Sequence, residues 1–104
     1  MGILLAVDGG NTNVVLGAYR GADLVRTWRA ATAVERTEDE LAVMIDGLLA
    51  REELSLDDVD SMVVGSVVPP LTLALTSLAD RHLGGRSVVI GPGVKTGVRL
   101  RVDN

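Results

Sequence analysis

Cysteine and phenylalanine are absent from this chain of 104 residues, which also has only one tyrosine, one tryptophan and one histidine. Without cysteine the chain can form no disulfide framework, no thiolate nucleophile and no cysteine-ligated metal site. With so few aromatic side chains, its core must be built from Val, Leu, Ile, Ala and Met. The lack of cysteine fits a reducing compartment, and we expect a cytoplasmic protein.

Positive charge is also scarce, because 10 Lys and Arg residues stand against 14 Asp and Glu, giving a net charge of −4. The basic residues are scattered along the chain, which argues against a nucleic-acid partner. The N-terminal apolar run has no basic segment before it and meets Asp8 too early for a signal peptide or a membrane span. We therefore expect one small domain over residues 1–104, with no nucleic-acid or membrane partner.

Apolar runs separated by turn residues predict an α/β fold with the order β-β-β-α-β-α-β. A capping box formed by Thr37 and Glu40 predicts the start of the first helix, and Pro69-Pro70 predicts the start of the second. Such an order favours a mixed sheet with helices packed on its faces. The strands are predicted over Ile3 to Val7, Asn13 to Tyr19, Asp23 to Thr32, Ser61 to Val68 and Ser87 to Ile90.

Three further expectations concern these elements. The fourth strand has too few polar residues for a solvated face, so we expect it to be central with both sides covered. The acidic residues Asp57, Asp58 and Asp60 are expected to form a solvated connector before it. Trp28 is expected to pack against the sheet, and Gly84-Gly85 to end the second helix.

The stretch VDGGNTN between the first two strands allows two interpretations. Gly9 and Gly10 can take positive φ and lack a Cβ, so the backbone could turn sharply and approach a ligand closely. Successive amides, with the side chains of Asn11, Thr12 and Asn13, could then bind a phosphate. A plain hairpin turn uses the same residue types, and local features alone favour that interpretation.

Other candidate sites are weaker. Asp8, at the end of the first strand, could hold a hydrated Mg²⁺ against phosphate oxygens. The segment GPGVKTG lacks the glycine that a P-loop needs before Lys95, and no helix follows it. His82 lies late in the second helix without metal-ligand spacing around it, which predicts a helix-terminal or surface histidine.

Five segments taken together resemble the N-terminal half of type III pantothenate kinases, and the resemblance runs through essentially the whole chain. They are LLAVDGGNTNVVLGAY, TWRAAT, RTEDEL, GSVVPPLT and GPGVKTGVRLRVDN, in this order. The resemblance implies the actin, sugar kinase and heat-shock-protein ATPase superfamily, with a ribonuclease H-like core. It also implies ATP-dependent phosphorylation of pantothenate in coenzyme A biosynthesis by a cytoplasmic homodimer. The implied cofactors are Mg²⁺ and a monovalent cation, K⁺ or NH₄⁺.

The same resemblance implies site residues. It places Asp8 near the metal through water, and the backbone of Gly9 to Thr12 near the terminal phosphates of ATP. It places the loop from Gly91 to Gly97 beside the pantothenate pocket. The implied phosphate motif comprises Asp8, Gly9, Gly10, Asn11, Thr12, Asn13, Val14 and Val15, and the implied pantothenate contacts are Val102, Asp103 and Asn104.

Two departures from the family pattern limit what we expect of this chain. Val102 stands where many members have an aromatic residue that touches pantothenate. The Gly-Ala-Asp-Arg motif, whose Asp is the family's general base, would follow Asn104 and is absent, together with the second domain. We therefore expect an ATP-phosphate-binding domain that is inactive alone. The alternative is a truncated or engineered module that self-associates through the surface left by the missing half, with weak or no nucleotide binding.

Overall fold

The strands and helices follow the predicted order. The computed structural model describes residues 2–90, so the predicted loop 91–97 and the alternating segment 98–102 lie outside the described residues. A single 3-10 turn, Leu56–Asp58, precedes the fourth strand. The elements are β1 (Ile3–Gly9), β2 (Asn13–Arg20), β3 (Asp23–Ala31), α1 (Glu38–Ala50), β4 (Val59–Ser66), α2 (Pro69–His82) and β5 (Ser87–Ile90).

The five strands form one mixed sheet in the order β3-β2-β1-β4-β5. β1, β2 and β3 are antiparallel neighbours, as expected for strands joined by tight turns. β1 and β4 are parallel, and so are β4 and β5, with α1 and α2 as the crossovers. The mixed sheet of the predicted α/β fold is thereby confirmed.

The core lies on one face of the sheet, beneath both helices. Alternate residues of β1 (Ile3, Leu5 and Val7) are buried there, while those between them are half-buried or exposed. This period of two follows from the geometry of a strand. Trp28 of β3 joins the core as predicted, although its buried indole Nε1 has no hydrogen-bond partner among the described residues. The helices contribute Leu41, Ile45, Leu49, Leu71, Leu75, Leu78 and Ala79.

Both helix starts agree with the sequence prediction. The capping box is present, since Glu40 N donates to Thr37 Oγ1 at 3.1 Å and Thr37 N donates to Glu40 Oε1 at 2.8 Å. α2 begins at Pro69, where the missing amide hydrogen costs nothing. The two helices are joined by an ion pair between Arg81 and Glu38, which accords with their lying on the same face.

Two expectations about β4 and its approach are wrong. β4 covers Val59–Ser66 and so begins and ends two residues earlier than predicted, because buried Val59 already pairs with Ile3. Asp58 is not merely solvated, since its carboxylate accepts a hydrogen bond from Ser55 N at 2.9 Å and caps the 3-10 turn.

The second face of the sheet, here called the open face, carries no helix of the described part of the chain. Among residues 2–90, helices therefore cover β4 on one side only, whereas we expected cover on both sides. Register places five small or apolar residues of the three inner strands β2, β1 and β4 on this face, and they are half-buried or buried. They are Leu4, Ala6, Val15, Gly17 and Val63. At its margins Leu24 and Val88 are each 50% exposed.

Candidate functional site

The candidate phosphate residues lie at one edge of the sheet, where two parallel strands end together. Gly9 at the end of β1 lies beside Ser66 at the end of β4. Beyond Gly9 the chain reverses through residues 10–12, here called the β1–β2 turn, and enters β2 at Asn13. In open α/β sheets, ligands commonly bind at the carboxyl ends of parallel strands. The fold thus puts this turn where a ligand can reach it.

Asp8 is the charged group of this edge. It is exposed and projects on the open face, because its neighbours Val7 and Gly9 both belong to the core face. Its register partners are Val15 on β2 and Gly65 on β4. Among residues 2–90, a Cβ on Gly65 would meet only the Ile90 carbonyl oxygen, at 3.7 Å.

The two glycines serve close packing and not an unusual backbone conformation. Neither Gly9 nor Gly10 has positive φ, so the expectation that they turn the chain through that region is wrong. A Cβ on Gly9 would lie 2.7 Å from Leu71 Cδ2 and 3.0 Å from Ser66 Oγ. A Cβ on Gly10 would lie 3.2 Å from the Asn13 carbonyl oxygen. The missing side chain of Gly9 lets α2 and β4 pack directly against the end of β1, and that of Gly10 leaves room for the Asn13 carbonyl.

Backbone hydrogen bonds fix the start of the turn. Gly10 N donates to Asn13 O at 2.9 Å, and Val67 N donates to Gly9 O at 3.0 Å. The Gly10 amide is therefore used within the turn and is not free to bind an anion. Within residues 2–90, the amides of Asn11 and Thr12 donate to no protein acceptor, and both residues are exposed. These two amides are the donors that the turn presents to solvent.

The remaining members of the predicted motif have different positions. Asn13 is half-buried at the start of β2, Val14 is buried in the core, and Val15 lies on the open face beside Asp8. The structure therefore brings Asp8, Asn11, Thr12 and Val15 to one accessible edge. Side-chain contact of Val14 with a ligand is blocked by its burial. The predicted pantothenate contacts Val102, Asp103 and Asn104 lie outside the described residues.

The other candidates behave as the sequence predicts or lie elsewhere. Lys95 belongs to residues outside the described range. His82 is exposed at the last position of α2, where it borders an open cleft of about 330 Å³ that includes none of the β1–β2 turn. Across the described chain, no cluster of three or more His, Cys, Asp or Glu residues could hold a metal by itself. No helix in residues 2–90 is long and apolar enough to span a bilayer.

Comparison with known proteins shows the family to which the chain belongs. The sequence model of the family described as type III pantothenate kinase matches residues 4–104. The chain belongs to the type III pantothenate kinase family. A type III pantothenate kinase of Geobacter sulfurreducens is 46% identical over 102 residues, which are 98% of this chain and 40% of that protein. The corresponding enzyme of Exiguobacterium sibiricum is 43% identical with the same coverage. The chain thus spans about two fifths of the length of these kinases.

Solved structures confirm the fold expected for a type III pantothenate kinase. An uncharacterised Pseudomonas aeruginosa protein with similarity to peptidase YeaZ matches 88% of this chain and 44% of its own, with a TM-score of 0.65 and 18% identity. A ROK hexokinase from Thermus thermophilus matches 86% of this chain and 35% of its own, with a TM-score of 0.56 and 15% identity. At these identities the likeness concerns the fold alone, and it agrees with a ribonuclease H-like sheet.

Four residues that contact the β1–β2 turn or the end of β1 in this pantothenate kinase family member were not predicted from the sequence. Thr32, Ser66, Val67 and Leu71 all contact residues 9–12. A signal for Thr32 was available, because an antiparallel β2–β3 pair places Ala31 opposite Asn13 and hence brings Thr32 to the turn. Ser66 and Val67 follow from the parallel pairing of β4 with β1, and Leu71 from the packing of α2, and residue spacing gives neither.

Proposed function

We propose that this chain is the N-terminal, ATP-phosphate-binding domain of a type III pantothenate kinase, which phosphorylates pantothenate with ATP in the first step of coenzyme A biosynthesis. Family membership supports the reaction class. The structural observation that carries the proposal is the accessible edge near the exposed Asp8 carboxylate. There the amides of Asn11 and Thr12 donate to no acceptor within residues 2–90. Outward-facing backbone amides bind phosphate oxygens well.

The residues of this edge suit magnesium as a partner of the nucleotide. Mg²⁺ commonly takes one or two carboxylates, phosphate oxygens and several waters instead of a cage of protein ligands. Asp8 provides one exposed carboxylate, and its neighbour Gly65 has no side chain that would take the place of water. When bound, Mg²⁺ would neutralise charge on the phosphates. We assign Asp8 to this role through water, and we assign no residue to a monovalent cation.

Turnover needs more than the described edge provides. Phosphoryl transfer depends on positioning both reactants and stabilising the transferred charge. The relatives are about two and a half times as long as this chain. We propose that the general base and the rest of the cleft come from the part that the chain does not match. Pantothenate is proposed to bind beside Val102, Asp103 and Asn104.

Calorimetry and a coupled assay test this function. Mg-ATP should bind the chain with measurable heat, while adenosine, which lacks phosphates, should give none at the same concentrations. The coupled assay with ATP and pantothenate should show no significant turnover by the chain alone. Equal binding of adenosine and Mg-ATP, or turnover near that of an intact relative, would contradict the proposal.

A second candidate function, self-association, is favoured by the open face. Leu24 and Val88 are half exposed at its margins, and Leu4, Ala6 and Val63 lie between them. An accessible apolar surface often marks an interface, and no helix of residues 2–90 covers this face. A module that dimerises through this face and binds no nucleotide would give a clean dimer in sedimentation and no heat with Mg-ATP.

A further inference from the structure

Thr32, the first residue after β3, makes two hydrogen bonds to the β1–β2 turn, although it is far from the turn in sequence. Its hydroxyl donates to the Gly10 carbonyl oxygen at 2.7 Å, and its backbone amide donates to the Thr12 carbonyl oxygen at 2.9 Å. The two accepting carbonyls lie on either side of Asn11. Thr32 therefore binds the turn on both sides of the exposed residue Asn11.

The hydrogen bond from the Thr32 hydroxyl to the Gly10 oxygen also sets the direction of the Asn11 N–H. The Gly10 carbonyl and the Asn11 N–H belong to one planar trans peptide unit, in which the C=O and N–H bonds point in opposite directions. Holding the Gly10 oxygen towards Thr32 therefore points the Asn11 N–H away from Thr32. Asn11 is exposed, and this amide donates to no acceptor within residues 2–90.

The neighbouring peptide units of the turn are held differently. The unit joining Gly9 and Gly10 is fixed at both ends by backbone bonds, since its oxygen accepts from Val67 N and its N–H donates to Asn13 O. The unit joining Gly10 and Asn11 is held by the Thr32 side chain. It also follows a glycine, whose backbone samples more conformations than that of any other residue. Within residues 2–90, the Thr32 hydroxyl is thus the hydrogen-bond partner that holds this unit.

We propose that Thr32 is a positioning residue, whose hydroxyl holds the Gly10–Asn11 peptide so that the Asn11 amide faces the phosphates of ATP. This inference rests on the proposed function for its ligand. Its structural part, that the hydroxyl orders the Asn11 amide, does not depend on any ligand. The two parts can therefore fail separately.

The test compares three variants with the parent chain. Thr32→Val removes the hydroxyl while keeping the branched shape, Thr32→Ser keeps the hydroxyl, and Thr27→Val makes the matched change on an exposed residue of β3 remote in register from the turn. ¹⁵N relaxation without ligand should show the Asn11 amide order parameter falling from about 0.85 towards 0.6 in Thr32→Val alone. Calorimetry with Mg-ATP should show roughly 5-fold weaker binding by Thr32→Val, the loss typical of one hydrogen bond.

Each outcome tests one part of the proposal, either the ordering of the Asn11 amide by Thr32 or the binding of ATP phosphates. An Asn11 order parameter in Thr32→Val equal to that of the parent overturns the positioning role, and so does a loss of order in Thr32→Ser matching that in Thr32→Val. If the parent itself binds no Mg-ATP, the proposed function fails while relaxation still decides whether Thr32 orders Asn11. If Thr32→Val does not fold, Thr32→Ala replaces it with the same expectations.

Discussion

Gly9 and Leu71 meet so closely that a Cβ on the glycine would lie 2.7 Å from Leu71 Cδ2. Leu71 is in the first turn of α2 and is buried, while Gly9 is the last residue of β1. The contact therefore joins the start of a helix to the base of the β1–β2 turn. Because interiors pack to nearly crystalline density, this junction cannot take an added methyl group without displacement.

Gly9→Ala is expected to destabilise the chain by about 1–3 kcal/mol, the usual cost of overpacking a filled site. Gly47→Ala is the matched control, since Gly47 lies in α1 with nothing within 4 Å of the added Cβ. That change should stabilise by about 0.5–1 kcal/mol, because alanine loses less conformational freedom in a helix. Urea unfolding measures both, and a Gly9→Ala variant as stable as the parent would refute the packing argument.

Thr37→Ala is expected to cost about 1 kcal/mol of stability, because it removes the acceptor for the Glu40 amide and breaks the capping box. Thr37→Ser should retain most of that stability, since it keeps the hydroxyl oxygen. The free energy of unfolding in urea is the measurement. Equal stability of Thr37→Ala and the parent would show that water caps α1 equally well.

The order of the elements could be predicted because local signals in the sequence agree with tertiary packing. Thr37 and Glu40 mark a helix start by hydrogen bonds made within four residues. Gly84 and Gly85, both at positive φ, mark the end of α2 by backbone conformation alone. The limits of β4 could not be predicted, because pairing of Val59 with β1 sets them. Partners distant in sequence leave no local trace.

The candidate site, too, could be predicted from the sequence only in part. Asp8, Asn11 and Thr12 were identified from the sequence, and the structure places them at an accessible edge. The role given to Gly9 and Gly10 was wrong in mechanism, because close packing and not positive φ requires them. The type of a residue indicates its conformational freedom. It does not indicate which residues from elsewhere in the chain would clash with an added side chain.

Asp8→Asn is expected to weaken binding of Mg-ATP roughly 10-fold, because it removes the charged acceptor for water bound to Mg²⁺. A hydrogen bond to a charged group contributes about 1.5–3 kcal/mol. Asp23→Asn, at the exposed first position of β3, is the matched control and should bind as the parent does. With EDTA present, the parent and Asp8→Asn should differ little. Calorimetry gives the Kd values, and wild-type affinity in Asp8→Asn would refute the magnesium role.

Self-association through the open face is expected to give a concentration-dependent dimer in sedimentation velocity. Val88→Lys should shift the chain towards monomer, because it places a charge on a half-exposed residue of this face. Leu73→Lys is the control, since Leu73 is 69% exposed but lies on α2. A monomer at every concentration, or equal loss of dimer in both variants, would exclude this interface.

Binding of ATP phosphates at the β1–β2 turn is tested most directly by the backbone amide resonances of the ¹⁵N-labelled chain during titration with Mg-ATP. The resonances of Asn11 and Thr12 should move together and saturate, because their amides are the free donors of the turn. Those of Gly21 and Ala22, in the second turn, should stay in place. Unmoved Asn11 and Thr12 resonances at saturating Mg-ATP, or equal shifts in both turns, would contradict the proposed site.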